Sequence, residues 1–483
     1  MHLIEEQLKI VDAGDHLHSV RMTPGQLDDV ANPPMPTPAE MDGYRTALAL
    51  MHTLSPESGT SLHRDIRNYI TPVRTALSKA VPKLVLQRIA ADINSDSVRQ
   101  LVSIQVTLVD KSLEIYPWEL IGEPGALCSM AQAVTVWRGL SPPKPPTTKR
   151  WQKGMLLTGS TAMVRVAPFV REELQMISSE LKKHSTVHFD CCEELTISAL
   201  NSLLTNHHPA VFHFAGHGTS DSFQFQGEPG PTIKEINVLP EVIGDELAGS
   251  DVSVAFFNCC ESATSNADDR PPIYRIAELA DTATVGMAAT IQPMAAILFG
   301  CGFYTSLAVG GSIVEAFYQG VSRLRSHDIY SPMWGIPVMY SRTARIIPFP
   351  VSLEAQARLA FHQINLQLRV LDEELAALTG MRCRTPAEWA EQTATAEMRI
   401  ECIESYLPAL TGLLSRDGVE GRHGWEVERS RDELASALSS ATATLTRLTE
   451  TARPEGLRGN VQLFQRKHQR ILKKLASRFE KAL

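Results

Sequence analysis

The sequence predicts an α/β protein, a mostly parallel sheet with helices on both faces, followed by an all-α C-terminal helical bundle. Three observations predict it. Between residues 154 and 341, short runs of β-branched and aromatic residues alternate with stretches of helical periodicity, the rhythm of a sheet whose strands are joined by helices. Two of these runs, VFHFAGHG at 211–218 and VAFFNCCES at 254–262, lie one helix-length apart, the spacing that neighbouring parallel strands need for their crossover. Beyond Pro350 the composition turns wholly helical, with apolar stripes at three and four spacing.

A chain of 483 residues exceeds what one core normally serves. Three parts are expected: an N-terminal helical region at 1–99, the α/β domain at 100–349 and the helical module at 350–483. The net charge of −8 argues against bulk electrostatic coating of nucleic acid or membrane. Eight cysteines, irregularly placed and without a CxxC, make neither a zinc framework nor a disulfide scaffold, and they fit a reducing, cytoplasmic setting. The first residues, MHLIEEQLKIVDAGD, lack the apolar core of a signal peptide, and no uncharged apolar run reaches membrane-spanning length.

In chain order, residues 1 to about 40 are weakly patterned and end in a proline-rich connector, ANPPMPTPAEM. MDGYRTALALMHTL and SLHRDIRNYITPVRTALSKA read as helices, the second broken or kinked at Pro72. LVSIQVTLV at 101–109 alternates apolar and polar positions as a half-buried strand does, and SLEIYPWELI and AVTVWRGL read as further strands, with Trp118 and Trp137 as core anchors. SPPKPPTTKR at 141–150 is a linker by composition. Strand GMLLTGS, helix REELQMISSELKKH, strand TVHFDC and helix LTISALNSLLTN then lead to the strand before His217. The stretches after His217 and Cys260, TSDSFQFQGEPGPTIKE and SATSNADDRPPIY, read as long polar loops. IYRIAELADT is a helix, ATVGMAA a strand, and residues 294–325 two helices parted at Gly310 and Gly311; GIPVMYS closes the sheet. The last helix sets Phe464, Ile471, Leu475 and Phe479 against Arg466, Lys467, Arg470, Lys473, Lys474 and Arg478, the pattern of a bundle helix with a solvated basic face. No 34-residue repeat is present.

The chemistry concentrates where the two central runs end. If 211–215 and 252–257 are adjacent strands, His217 and Cys260 emerge together at their C-terminal ends, where open α/β sheets carry their sites. An imidazole beside a thiol is a base beside a nucleophile. Gly216 and Gly218 bracket the histidine and leave its backbone free to turn and to offer N–H groups to an oxyanion. Against this stands the plainer alternative of a buried cysteine and a core histidine. His213, four residues before His217, makes a zinc-like spacing only on a helix, and these residues read as strand and turn, so no metal or other cofactor is expected. Loop carboxylates Asp221, Glu228, Asp268 and Asp269 either line a pocket for a basic side chain or are simply solvated; Asp268 and Asp269 also mark a possible cleavable loop.

HFAGHG followed by a strand ending in NCCES resembles the CHAT family of caspase-like cysteine peptidases. YPWELI at 116–121, GCGFYTSLAVGGSIVEAF at 300–317 and MWGIPVMY at 333–340 resemble further CHAT segments, in the family's order. The resemblance implies a caspase-like fold and a cysteine endopeptidase with His217 as base, Cys260 as nucleophile and the N–H groups of Gly218 and Cys260 as oxyanion hole. It also implies a protein substrate and a regulated role in bacterial defence or cell death, with the C-terminal helices as the interface for a protein sensor or activator. The family usually has a small residue before the nucleophile; here Cys259 stands there, and two thiols compete. The caspase signature QACRG is absent, so aspartate specificity is not implied. A caspase-like scaffold that binds a partner without hydrolysing it is the alternative function.

Overall fold

A computed structural model describes residues 2–14, 16–22, 30–54, 60–83, 85–87, 100–122, 134–140, 154–183, 187–228, 235–265, 269–327 and 331–349, with 435–447, 461–466 and scattered positions between 368 and 473. The 141–150 linker, Asp268 and most of the helical module, including Ile471, Leu475 and Phe479, lie outside the described residues. Two compact units emerge: Leu3–Ser95 with Leu101–Pro350, and Val351–Leu483 with Met1–His2 and Asp96–Gln100.

The N-terminal residues, expected to be unpatterned and then helical, begin as strands: β1 (His2–Asp12), β2 (Leu17–Arg21) and the short β3 (Val30–Ala31), paired antiparallel. Glu6, Leu8 and Ile10 alternate on the buried side of β1. The alternation is masked in the sequence because one inward position is a carboxylate, and Arg21 of β2 holds it in two bonds of 3.0 and 3.1 Å. Helix α1 (Pro38–Met51) starts at a capping box, Thr37 bonding the Glu40 N–H while the Glu40 carboxylate returns to Thr37. Helix α2 (Thr60–Ser78) runs through Pro72 rather than stopping there.

Strand β4 (Gln100–Leu108) forms where expected and pairs parallel with β5 (Val134–Gly139), but it is not half-buried: Ser103 and Gln105 are buried along with their apolar neighbours. Between them, the expected strand at SLEIYPWELI is instead two 3-10 turns, Lys111–Ile115 and Trp118–Gly122. Pro117 has no N–H for a ladder, and the Arg138 guanidinium donates to the carbonyls of Glu114 and Tyr116, to which the N–H groups of a partner strand would otherwise donate. Trp118 and Trp137 are buried, their indoles donating to the Leu113 carbonyl and the Ser103 hydroxyl.

The crossovers then run β6 (Gly154–Gly159), α3 (Ala167–Leu181), β7 (His188–Cys192), α4 (Ile197–His207) and β8 (Val211–Ala215). A small sheet of β9 (His217–Gly218), β10 (Phe223–Gln226) and β11 (Glu235–Val238) replaces the loop expected after His217. Helix α5 (Pro240–Ala248), β12 (Val254–Asn258), α6 (Pro272–Ala280), β13 (Ala283–Met287), α7 (Pro293–Ala308), α8 (Ile313–Arg325) and β14 (Pro337–Ser341) complete the unit. Gly310, at φ 85°, makes the break between α7 and α8.

The main sheet has eleven strands in the order β3-β2-β1-β4-β5-β14-β13-β12-β8-β6-β7. Strand β14 does not close an edge, as expected from its place in the chain; it sits in the middle, parallel to β5 and antiparallel to β13. Two parallel blocks of opposite direction therefore meet at β13 and β14.

The central strands bury every residue on both faces. Phe212, Phe214 and Phe257 face the layer of α4, α5 and α6. Phe256 turns the other way onto Phe299 and Phe303 of α7. Each such ring contributes about 1.5–3 kcal/mol by leaving water, which fixes the register of β8 on β12.

In the helical unit, Leu368, Leu371, Leu375 and Leu378 are buried at helical spacing, and the Trp389 and Phe464 rings meet edge to face at 5.8 Å.

Candidate active site

The register of the two central strands builds the site. Strands β8 and β12 pair in parallel from Val211 with Val254 to Ala215 with Asn258. His217 and Cys260 each lie two residues past that last pair, so the two side chains leave the sheet at the same level of the same edge. The first turn is held by the Gly216 N–H on the Asn258 carbonyl. The ladder of His217 with Gln224 and Gly218 with Phe223 continues it. Phe223 and Phe225 anchor that ladder by packing on Phe257 and Phe214, at 4.8 and 4.7 Å between ring centres.

Gly216 and Gly218 serve by lacking a side chain, not by adopting left-handed backbone. A Cβ on Gly218 would sit 2.9 Å from the Cys259 Cβ and 3.3 Å from the Cys260 carbonyl; one on Gly216 would meet the Phe214 ring at 2.9 Å. The histidine turn and the cysteine turn are thus in direct contact. The left-handed residue is Glu261, at φ 61°, which follows Cys260 and costs about 1–2 kcal/mol for a side chain of its kind. Ser262 stabilises this turn: its hydroxyl donates to the Cys259 carbonyl at 2.9 Å and accepts from the Met287 N–H at 3.0 Å. Glu261 and Ser262 belong to the NCCES motif, but the left-handed conformation at Glu261 was not marked, because glycine or asparagine signals it and neither stands there.

The two adjacent thiols occupy different surroundings. Cys259 is 2% exposed and Cys260 is partly exposed. Burial pushes the Cys259 thiol well above its ordinary value, and the neighbouring Cys260 and Glu173 add to the rise. Burial also raises Cys260, with Glu261 pushing the same way, but the Ile291 N–H, the Thr290 hydroxyl and its own N–H pull it back. Thr290 and Ile291 follow β13 and form the other wall of the site. His217 is partly exposed.

His213 does not join His217. It is wholly buried on β8, with Nδ1 at 2.8 Å from the Tyr304 hydroxyl and Nε2 at 3.3 Å from the Glu173 carboxylate. Among the described residues no three His, Cys, Asp or Glu side chains group to hold a metal ion. The loop acids have partners of their own. Asp269 pairs with Arg275 at 2.6 Å; burial opposes its charge, but the Arg270 N–H, Arg275 and Lys111 keep its carboxyl below the usual range. Glu228 accepts from Ser198 at 2.7 Å, and the Asp221 side chain accepts from the Ser220 hydroxyl at 3.4 Å.

The family profile of the CHAT domain matches residues 75–394. The chain belongs to the CHAT-domain family. That membership makes a caspase-like cysteine peptidase the activity suggested for the chain. No curated protein matches it. Among solved structures it is similar to the Saccharomyces cerevisiae separase–securin complex, at 9% identity and TM-score 0.45 in one determination and 10% and 0.44 in another. The CHAT chain is covered over 70% of its length in both, and spans 30% of the chain it matches. It is also similar to a two-domain protein from Anabaena variabilis with DJ-1/ThiJ/PfpI-like and ferritin-like domains, at 9% identity and TM-score 0.15, over 68% of this chain and 94% of that one. Among the described residues no helix is long and apolar enough to cross a membrane.

Proposed function

We propose that this CHAT protein is a cysteine endopeptidase in which His217 generates the Cys260 thiolate. The observation that carries the reading is the matched register: His217 and Cys260 both lie two residues past the Ala215–Asn258 pair, with Gly218 packed against the cysteine turn. In the reaction His217 takes the thiol proton, and the thiolate attacks a peptide carbonyl. The N–H groups of Gly218 and Cys260 receive the oxyanion, the amine leaves with the proton from His217, and water releases the acyl group. The Thr290 hydroxyl and the Ile291 N–H also favour the charged form of the sulfur once the thiolate forms. The site would serve a protease of bacterial defence or cell death that waits for an activator, its C-terminal helices being the interface.

The test is cleavage of candidate partner proteins by the wild type and by Cys260→Ala, His217→Ala and Cys259→Ala. Loss of about a thousandfold or more in the first two, with Cys259→Ala still active, is the expected result. Cleavage that survives in Cys260→Ala would sink the dyad. The resting bond of the thiol to Thr290 also suits a second reading, a scaffold that binds a partner and does not cleave it. That reading expects the same partner to be captured, uncut, by wild type and Cys260→Ala alike.

A further inference from the structure

Beneath the two turns lies a buried polar cluster that the cleavage steps do not use. Glu173 of α3 is 6% exposed; its carboxylate accepts from the Asn258 amide at 2.5 Å and stands 3.3 Å from His213 Nε2. That nitrogen is within charge-pairing distance but not aligned for a hydrogen bond, so Asn258 is the directional partner. Among the described residues no lysine or arginine pairs with Glu173. A carboxylate buried in this way is costly unless it is held, and here its holder is the last residue of β12.

Asn258 is where the two turns begin. Its carbonyl accepts from the Gly216 N–H, one residue before His217, and its chain continues directly into Cys259 and Cys260. Through one side chain, α3 therefore sets the start of both turns. The groups around the thiols divide accordingly. Burial, Cys260 and Glu173 all raise the Cys259 thiol, whereas at Cys260 the Thr290 hydroxyl and the Ile291 N–H offset part of the rise.

We propose that Glu173 is a positioning residue: through Asn258 it fixes the start of the Cys260 turn, so that the second thiol of the pair is the one offered to substrate. This rests on the peptidase reading, but its test needs no cleavage. The full chain, as wild type and Glu173→Gln, is labelled with methyl methanethiosulfonate over a pH series, and the rates at Cys259 and Cys260 are read separately from peptide fragments. At fixed pH, labelling in Glu173→Gln is expected to slow about threefold or more at Cys260, as its turn drifts from Thr290 and Ile291. Labelling is expected to quicken by about as much at Cys259, which no longer faces the charge; threefold corresponds to half a pH unit in the midpoint. Asn258→Leu removes the contact and is expected to slow Cys260 as Glu173→Gln does. A general loosening would quicken both thiols. Movement of both in the same direction, or of neither, overturns the proposal. So does loss of cooperative melting in both variants, because the contact would then belong to the fold and not to the turn. If Cys260→Ala cleaves as well as the wild type but the opposed labelling shifts are seen, the peptidase reading fails and the positioning role stands.

Discussion

At the residue scale, the site depends on closeness more than on flexibility. Gly218→Ala introduces a methyl group 2.9 Å from the Cys259 Cβ, so one of the two turns must shift. Cleavage by this variant is expected to fall about tenfold or more while the melting temperature moves little, since a small shift that a turn absorbs is one that a catalytic geometry does not. A melting temperature lowered as far as activity would show that the contact holds up the fold instead. His217, Cys260 and Gly218 were legible in the sequence because strand runs and short motifs mark them. Glu173, Asn258, Ser262 and Thr290 were not, because their roles come from contacts between segments far apart in the chain; Glu173 and Asn258 are 85 positions apart. A second residue-scale prediction concerns pH. Burial pushes the Cys301 thiol, in α7, from 9.0 up to about 11, with Arg323 pulling the other way. A thiol is charged when deprotonated, so between these values the folded chain holds a proton that the unfolded chain has lost. The stabilisation is complete below about pH 9 and disappears as pH rises through about 11, a difference of about 2–3 kcal/mol. Comparing urea unfolding at about pH 8 and about pH 10.5 checks this. Cys301→Ala should lose less stability between the two than the wild type, and an equal loss would remove Cys301 as the cause.

At the scale of elements, the predictable parts were those whose pattern is local. The helices around Gly310, strand β4 and the mainly apolar β8 and β12 follow from spacing alone. The β1 strand, the two 3-10 turns and the central place of β14 did not, and in the first two cases a distant arginine decides the matter: Arg21 for β1 and Arg138 for the turns. Arg138 is the centre of a buried group in which it bonds Glu119 and Glu114 at 2.8 Å each and the Tyr340 hydroxyl at 3.1 Å, while Arg270 reaches Glu114 from the loop after Cys260. Burial acts against its charge, yet Glu119, Tyr340 and Glu114 hold the guanidinium pKa well above the ordinary value. Arg138→Met leaves one carboxylate without a cation and is expected to cost about 3–5 kcal/mol in urea unfolding. A cost under about 1 kcal/mol would mean that the group is far better solvated than its burial implies.

At the scale of the whole molecule, the unit that contains both turns ends at Pro350. A chain stopped there is expected to melt in one cooperative transition, checked by calorimetry; a broad, non-cooperative melt would show that residues 351–483 are needed for the sheet. The sequence marked this boundary through Pro348, Pro350 and the change of composition beyond them. It did not mark the strand order, because nothing local in PVMYS tells a middle strand from an edge strand. That order has a consequence for synthesis. Arg138 on β5 and Tyr340 on β14 are 202 positions apart. At about 5–20 residues per second, the ribosome takes about 10–40 s to supply the second after the first. For that time β5 offers an open hydrogen-bonding edge to whatever strand comes near. The nascent CHAT chain is then most exposed to mispairing and to chaperones, and a slow stretch of codons between the two would lengthen the danger without changing a single residue.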